Sequence, residues 1–316
     1  MPFAPGIVDA IDPLRLRLLV EVERRGSISA AAEICQMSQP SATKHLQTLE
    51  AAVGEKLVER NGRASQLTEA GTIVARHAST ALETLQGMEE ELNALRDAER
   101  GTLALAASTT VGSYVLPSTL QCLTDRHPHV DVDIAIGPSA WVVEQVARRE
   151  HSLGVAGEVE LPAGVRSEPF MEDEVVGIAA PGEVRLRRGR ARPSELEEKT
   201  LLVREPGSST QAVAERHLAR TGFHPAKRWE LDSNEAIKRS VGAGLGIGFV
   251  SRLVVEDELE RGELESFRLE RSEPMSRSLL LLLPDDRDLR PSEQAFVRTL
   301  GDCCDATFES CAVAPA

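Results

Sequence analysis

Along the first seventy residues, apolar positions recur at helical spacing in three short runs. Leu14, Leu18, Leu19 and Val22 form the first, with Asp12 placed as an N-cap and Pro13 in the opening turn. Gly26 and Ser27 end that helix and cap a second, whose Ala30, Ala31, Ala32 and Ile34 allow close helix packing. A tight turn at Gln36 and Met37 follows. Ser38 then caps a third helix, and Pro40 is tolerated there because first-turn amides have no intrahelical acceptor. Leu46, Leu49 and Val53 face inward, while Ser41, Thr43, Lys44, His45 and Gln47 face outward. A short helix that is apolar on one side and small, polar and basic on the other suits a DNA major groove.

Residues 68–100 contain no proline, and Gly71 and Gly87 are their only helix breakers. Val74, Ala78, Ala81, Leu85, Met88, Leu92 and Leu95 step alternately by four and three, with Glu83, Glu89, Glu90, Glu91, Arg96 and Asp97 off the seam. So narrow a stripe suits pairing with another helix. Periodicity alone leaves open a linker helix lying on its own domain.

From Thr102 onward, strand and helix patterns alternate. Strands are expected at 103–107, 130–136, 153–157, 175–180, 201–204, 228–231, 247–250 and 279–283. Helices are expected at 111–126, 140–149, 210–221 and 233–243, with a closing helix from Pro291. Such alternation predicts parallel sheets covered on both faces, and the length suits two sheets better than one. Gly242, Gly244, Gly246 and Gly248 are no dinucleotide fingerprint, because a helix precedes them and a strand follows, the reverse of what that motif needs.

The chain has 316 residues, 41% of them hydrophobic, enough for two or more packed domains. Its net charge is -14, yet residues 1–65 hold eight basic and eight acidic side chains, so the remainder carries the whole excess. An acidic body discourages indiscriminate adhesion and leaves DNA affinity to a few placed cations. No apolar run approaches a membrane span and no signal peptide is evident, so a cytoplasmic protein is expected. Five cysteines show no disulfide framework. A metal set from Cys122, His127 and His129 is rejected, and no catalytic motif is present, so neither an enzyme nor a cofactor is expected.

Residues 26–71 read GSISAAAEICQMSQPSATKHLQTLEAAVGEKLVERNGRASQLTEAG. This segment resembles the DNA-binding module of LysR-type transcriptional regulators, densely and in order, through a wing at 57–67 and into the long helix. Ile28 and Val58 stand where the family usually has aromatic residues, and both keep the position apolar. The resemblance implies an α/β chain with an all-α N-terminal part, in three pieces. A winged helix-turn-helix occupies 1–67 and a linker and dimerisation helix 68–100. A periplasmic-binding-protein-like effector domain occupies 101–316, with subdomain I at about 101–172 and 272–316 and subdomain II at about 173–271. The two subdomains would be hinged by strands crossing near 171–176 and 268–276. The segment REPGSST, with Ser233, Asn234 and the glycines that follow, resembles a branch that includes regulators of carbon-fixation operons and of sulfur assimilation. Gln211, Ser209 and Ser152 depart from the usual residues of that branch.

The implied partners are double-stranded DNA, a second copy of the chain in a homodimer or homotetramer, a small-molecule effector and RNA polymerase. At the DNA, Ser38, Gln39, Pro40, Ser41, Thr43, Lys44 and His45 are the candidates on the third helix, joined by Arg60 and Arg63 of the wing. Gln39 and His45 suit base edges, while Ser41, Thr43, Lys44, Arg60 and Arg63 suit phosphates. In α/β folds, ligands sit where strands end and helices begin. Ser108, Thr109 and Thr110 follow the first strand of the effector domain, and Glu205, Gly207, Ser208, Ser209 and Thr210 hold the equivalent place in the second half. Gly157 and Asn234 complete the candidate site. Paired hydroxyls and helix-start amides favour a small anion, although Ser108, Ser208 and Thr210, each taken alone, read more readily as helix caps. Two other readings stay open: a thiol-based redox regulator using Cys303 and Cys304, and a solute-binding α/β protein with a vestigial DNA-binding domain.

Overall fold

Helix α1 (Pro13–Arg25) begins where the Asp12 carboxylate accepts the Leu14 amide at 2.9 Å and stops at Gly26, whose φ of 62° continues no right-handed helix. Ser27 caps α2 (Ile28–Ile34), and Ser38 caps α3 (Gln39–Val53). The computed structural model describes residues 11–61, 64–94 and 101–311, in two units divided at Leu95 and Arg96. In the first unit, Leu16, Leu18, Leu19, Val20 and Val22 of α1 pack with Ile28, Ala31, Ala32, Ala42, Leu46 and Leu49. Leu14, expected on this face, is exposed instead, and Leu16 and Val20 take the buried positions. Strands β1 (Val58–Asn61) and β2 (Ala64–Leu67) pair antiparallel as the wing.

Helix α4 (Glu69–Ala94) starts under tight constraint. The Thr68 hydroxyl accepts from the Gly71 amide and donates to the Lys56 carbonyl, and a methyl group at Gly71 would collide with the Leu57 carbonyl oxygen. The expected seam divides in two. Ala78 of the seam is buried and Val74 partly so, with Ala75 and Leu82 beside it, in the core that α1 also builds, while Ala81 is exposed. Leu85 and Met88 further along are exposed. The first turns of the seam therefore serve the chain's own domain, as the linker-helix reading had it. The side chain of Leu92, and Leu95, lie outside the described residues.

The second unit is built on β3 (Gly101–Ser108), β4 (Val130–Gly137), β5 (Leu153–Gly157), β6 (Val165–Ala179), β7 (Arg190–Ala191), β8 (Thr200–Arg204), β9 (Lys227–Leu231), β10 (Ile247–Ser251), β11 (Glu265–Leu269) and β12 (Met275–Pro284). Where two sheets were expected, the ladders join into one path, β4-β3-β5-β12-β6-β10-β8-β9, with β11 and β7 beside it. The reason is length. Strands β6 and β12, of 15 and 10 residues, run through both halves and pair antiparallel along their shared span, while strands within each half pair in parallel. The ladder skips Phe170 between Met171 and Pro169, and that bulge accommodates a proline in a central strand.

Around these strands lie α5 (Thr109–Tyr114), α6 (Leu116–Arg126), α7 (Ser139–Ala147), α8 (Pro193–Leu196), α9 (Ser209–Thr221), α10 (Asn234–Gly242), α11 (Arg252–Glu260) and α12 (Pro291–Cys304). The single helix expected at 111–126 breaks at Val115, because Pro117 lacks an amide and crowds the preceding turn. Each half has its own core. Leu103, Leu105, Phe170, Leu281 and Phe296 anchor one, with α12 from the chain's end completing it. Val203, Phe249, Phe267 and Met275 anchor the other. Gly246 lets β10 approach β8: a side chain there would strike the Thr200 carbonyl.

Candidate nucleic-acid interface and anion cleft

On α3, Ser38, Gln39, Pro40 and Lys44 are exposed, Ser41, Thr43 and His45 are half-buried, and Ala42, Leu46 and Leu49 lie beneath them. All seven N-terminal candidates thus lie in the cap and first two turns of one helix. Ser38 spends its hydroxyl oxygen on capping the Ser41 amide at 3.4 Å, and the Thr43 hydroxyl donates to the Gln39 carbonyl at 3.0 Å. Gln39 and Lys44 keep their polar heads in solvent. Arg60 stands on β1 opposite Ser65, and Arg63 lies outside the described residues.

The wing is fixed to this helix by Glu50, a residue the sequence reading did not single out. Its carboxylate accepts from the Leu57 amide at 3.0 Å, the Val58 amide at 3.3 Å and the Lys56 ammonium at 2.7 Å. Burial pushes its pKa up, but the Lys56 and amide hydrogen bonds prevail and hold the carboxyl below the ordinary range.

In the second unit, the ends of β3, β4 and β8 converge on a cavity of about 10 Å³, room for one water molecule. Ser108, Thr109, Thr110, Ser208, Ser209 and Thr210 line it, as do Pro138, Ser139, Arg204 and Arg277. Of the other expected residues, Asn234 bonds to Arg204 and to Thr110, Glu205 holds the Arg204 guanidinium, and Gly157 lies under Ser209 and Arg277. Gly207, with a φ of 85°, accepts the Ala140 amide at 3.2 Å across the mouth. The two halves therefore meet through Ala140–Gly207, Ser139–Ser209, Thr109–Arg204 and Thr110–Asn234.

Two buried guanidiniums give the cleft its electrostatics. Arg277 lies against Asp173, Nη2 to Oδ2 at 2.7 Å, and donates to Ser209 Oγ at 2.6 Å. Burial pulls the Arg277 pKa down and the like charge of Arg204 adds to this, against the opposing pull of Asp173. Hydroxyls surrounding two guanidiniums form a donor-rich pocket suited to an oxyanion. The sequence reading passed over Arg277, Ser139 and Asp173. A signal existed for Arg277, since period two along β12 places it on the same inward side as Met275 and Leu279. Ser139 repeats the strand-end hydroxyl pattern of Ser108 and Ser208 after β4.

Burial raises the Cys304 thiol to about 11, with Cys303 and Asp305 adding to the shift, and Cys303 is raised as well. Neither environment lowers the thiol pKa in the way a reactive cysteine requires. Among the described residues, no group of three or more His, Cys, Asp or Glu is placed to hold a metal, and no helix is long and apolar enough to cross a membrane.

The family model described as the bacterial regulatory helix-turn-helix protein, lysR family, matches residues 14–72, and the LysR substrate binding domain matches residues 96–304. The RuBisCO operon transcriptional regulator of Acidithiobacillus ferrooxidans is 29% identical over 286 residues, covering 90% of this chain and 92% of its own. The HTH-type transcriptional regulator CfxR of Cupriavidus necator is 34% identical over 250 residues, 79% of this chain and 78% of its own. The regulatory domain of CcmR from Synechocystis PCC6803, solved in complex with 2-PG, superposes with a TM-score of 0.60 at 24% identity, covering 65% of this chain and 98% of that one. With a helix-turn-helix unit, a two-lobed α/β unit and both family models in register, the chain belongs to the LysR-type transcriptional regulators.

Proposed function

We propose that this regulator reads its operator as a homo-oligomer and responds to a small oxyanion held between the two halves of its second unit. The observation that carries the reading is the cavity at the ends of β3, β4 and β8, with two buried arginines and seven hydroxyl side chains around it. A metabolite carrying a carboxylate or phosphate would replace the four links across the mouth with links through itself. The angle between halves would then change, and with it the spacing of the DNA-binding units in the oligomer and the bending of the promoter. CcmR, of like fold in its regulatory domain, carries 2-PG, which supports a small organic phosphate as ligand.

Self-association is part of the proposal. Leu85 and Met88 on α4 are 43% and 54% exposed, and residues 68–100 are read as the dimer helix. Val132 and Ile136 on the edge strand β4, with Trp229 on the opposite edge strand β9, are also exposed and would serve a tetramer. Ser38, Gln39, Pro40, Ser41, Thr43, Lys44, His45, Arg60 and Arg63 are assigned to DNA. The regulator works in the cytoplasm, contacts RNA polymerase at the promoter and catalyses no reaction. The test is a gel-shift titration on fragments flanking its own gene, with and without 2-PG and other small carboxylates and phosphates. A retarded fragment whose affinity or mobility changes with one of these anions is expected. No retarded fragment at low salt contradicts the DNA reading, and anion-indifferent binding contradicts the effector reading.

A further inference from the structure

The two arginines of the cleft are neutralised in different ways. Asp173, the partner of Arg277, sits on a central strand, is 1% exposed in its side chain and is itself fixed by the Ser251 hydroxyl at 2.7 Å. That carboxylate has nowhere to go. Glu205, the partner of Arg204, lies in the loop after β8 and is 17% exposed in its side chain. It takes the Arg204 fork side-on, Nε to Oε2 and Nη2 to Oε1 both at 2.6 Å, and those are its side chain's only hydrogen bonds among the described residues. The remaining Arg204 contacts, to Asn234 Oδ1 and Thr109 Oγ1, do not involve Glu205 and keep the guanidinium in place without it.

Two parallel N–H bonds to two oxygens on one atom is the geometry by which arginine binds a carboxylate or a phosphate ligand. Glu205 occupies the position such a ligand's acidic group would take. We propose that Glu205 is an in-built competitor for the cleft ligand: its carboxylate fills the Arg204 fork until an incoming oxyanion displaces it into solvent. The inference rests on the reading of this cleft as the effector site. Displacement exchanges one charge-assisted pair for another, so net affinity is the difference between ligand and Glu205 at the same fork, and the competitor sets the threshold concentration of the response. It also selects ligand class. A neutral molecule cannot displace Glu205 from Arg204, whereas an oxyanion with further hydroxyl contacts to Thr109, Ser139 or Ser209 can.

The test is calorimetric titration of the full chain with inorganic phosphate and, separately, with acetate, at constant ionic strength, for the parent protein, Glu205→Gln and Arg204→Gln. Glu205→Gln should bind at least one of the two anions about tenfold more tightly, because it removes both the competitor and its repulsion of the bound anion. Arg204→Gln should lose binding. Tightening confined to phosphate, or to acetate, supports the inference and identifies the oxyanion the fork prefers. If Arg204→Gln abolishes binding while Glu205→Gln leaves it unchanged or weaker, the competitor role is overturned and the cleft reading stands. If Arg204→Gln binds as the parent does, or no protein binds either anion, both readings fall. Should Glu205→Gln not accumulate as folded protein, Glu205→Asp takes its place. Its carboxylate is one methylene too short to keep both contacts, so it too should bind more tightly than the parent, and equal or weaker binding overturns the inference.

Discussion

Arg277 on β12 and Asp173 on β6 stand directly across the ladder from one another, and both side chains are at most 2% exposed. Removing one member of a buried ion pair leaves an uncompensated charge, a loss of about 3–5 kcal/mol, whereas apolar replacement of both is far milder. Asp173→Asn is therefore expected to lower the stability of the second unit by about 3 kcal/mol, and Asp173→Leu with Arg277→Leu by less. Urea unfolding followed by tryptophan fluorescence measures this unit selectively, since Trp141 and Trp229, the chain's two tryptophans, both lie within it. A single variant no less stable than the double one would contradict the pairing argument.

Gly157 is held small by what passes over it. A methyl group there would collide with Ser209 Oγ and lie 2.8 Å from Arg277 Nη1. Gly157→Ala should prop the cleft open and weaken phosphate binding more than tenfold while the DNA-binding unit keeps its fold. Calorimetry beside a gel shift separates the two effects, and unimpaired phosphate binding would show that the halves need not close on that contact.

The Glu50 carboxyl supplies the pH dependence of the wing. Its folded pKa lies below its unfolded value, so its contribution is fully present above the unfolded pKa, near 4.5, and is lost as pH falls through the folded one. The protection factors of the Leu57 and Val58 amides, whose N–H groups bond to it, should fall as the protein is acidified below about pH 4.5. Glu50→Gln should show faster exchange already at neutral pH, with the acid step gone. An acid step that persists in that variant would assign it to another group.

Lys44, exposed on the outer side of α3, is read as a phosphate contact. Lys44→Ala should weaken operator binding and reduce the slope of log affinity against log salt by about 0.9 per binding unit. Anisotropy titrations across a potassium chloride series check it, and an unaltered slope contradicts the assignment.

Leu85 and Met88 are the exposed remainder of the α4 seam. Leu85→Glu with Met88→Glu should shift the protein toward monomer and cost at least tenfold in operator affinity, since paired half-sites need paired readers. Sedimentation equilibrium gives the mass. An unshifted oligomer would move the dimer contact elsewhere.

What was legible in the sequence was local. Asp12, Ser27 and Ser38 cap the helices they precede because a cap bonds within three residues, and the short apolar runs of β3, β8 and β10 mark buried strands. The hydroxyl segments were readable for the same reason, lying where strands hand over to helices. The first two-thirds of β6 were not. They read VRSEPFMEDE, with four acids and a proline, and only pairing with β12 makes a strand of them. Helix α11 was missed as well, its acids as numerous as its apolar positions. The cleft's charges were hidden by distance along the chain, since Arg277 meets an aspartate 104 residues earlier. Part of the α4 seam misled, because one stripe serves the chain's own core first and leaves only its far end for another helix.

The insertion of β12 between β5 and β6 has a bearing on how this protein is made. The half begun by β3 lacks a central strand until β12 is made and the α12 wall of its core until residues 291–304 follow, while the core of the other half is complete at Met275. Synthesis should therefore finish the later-encoded lobe first and the earlier-encoded one last, leaving apolar strand edges in need of shelter through most of translation. A stop codon between Met275 and Phe308 would damage the lobe encoded first.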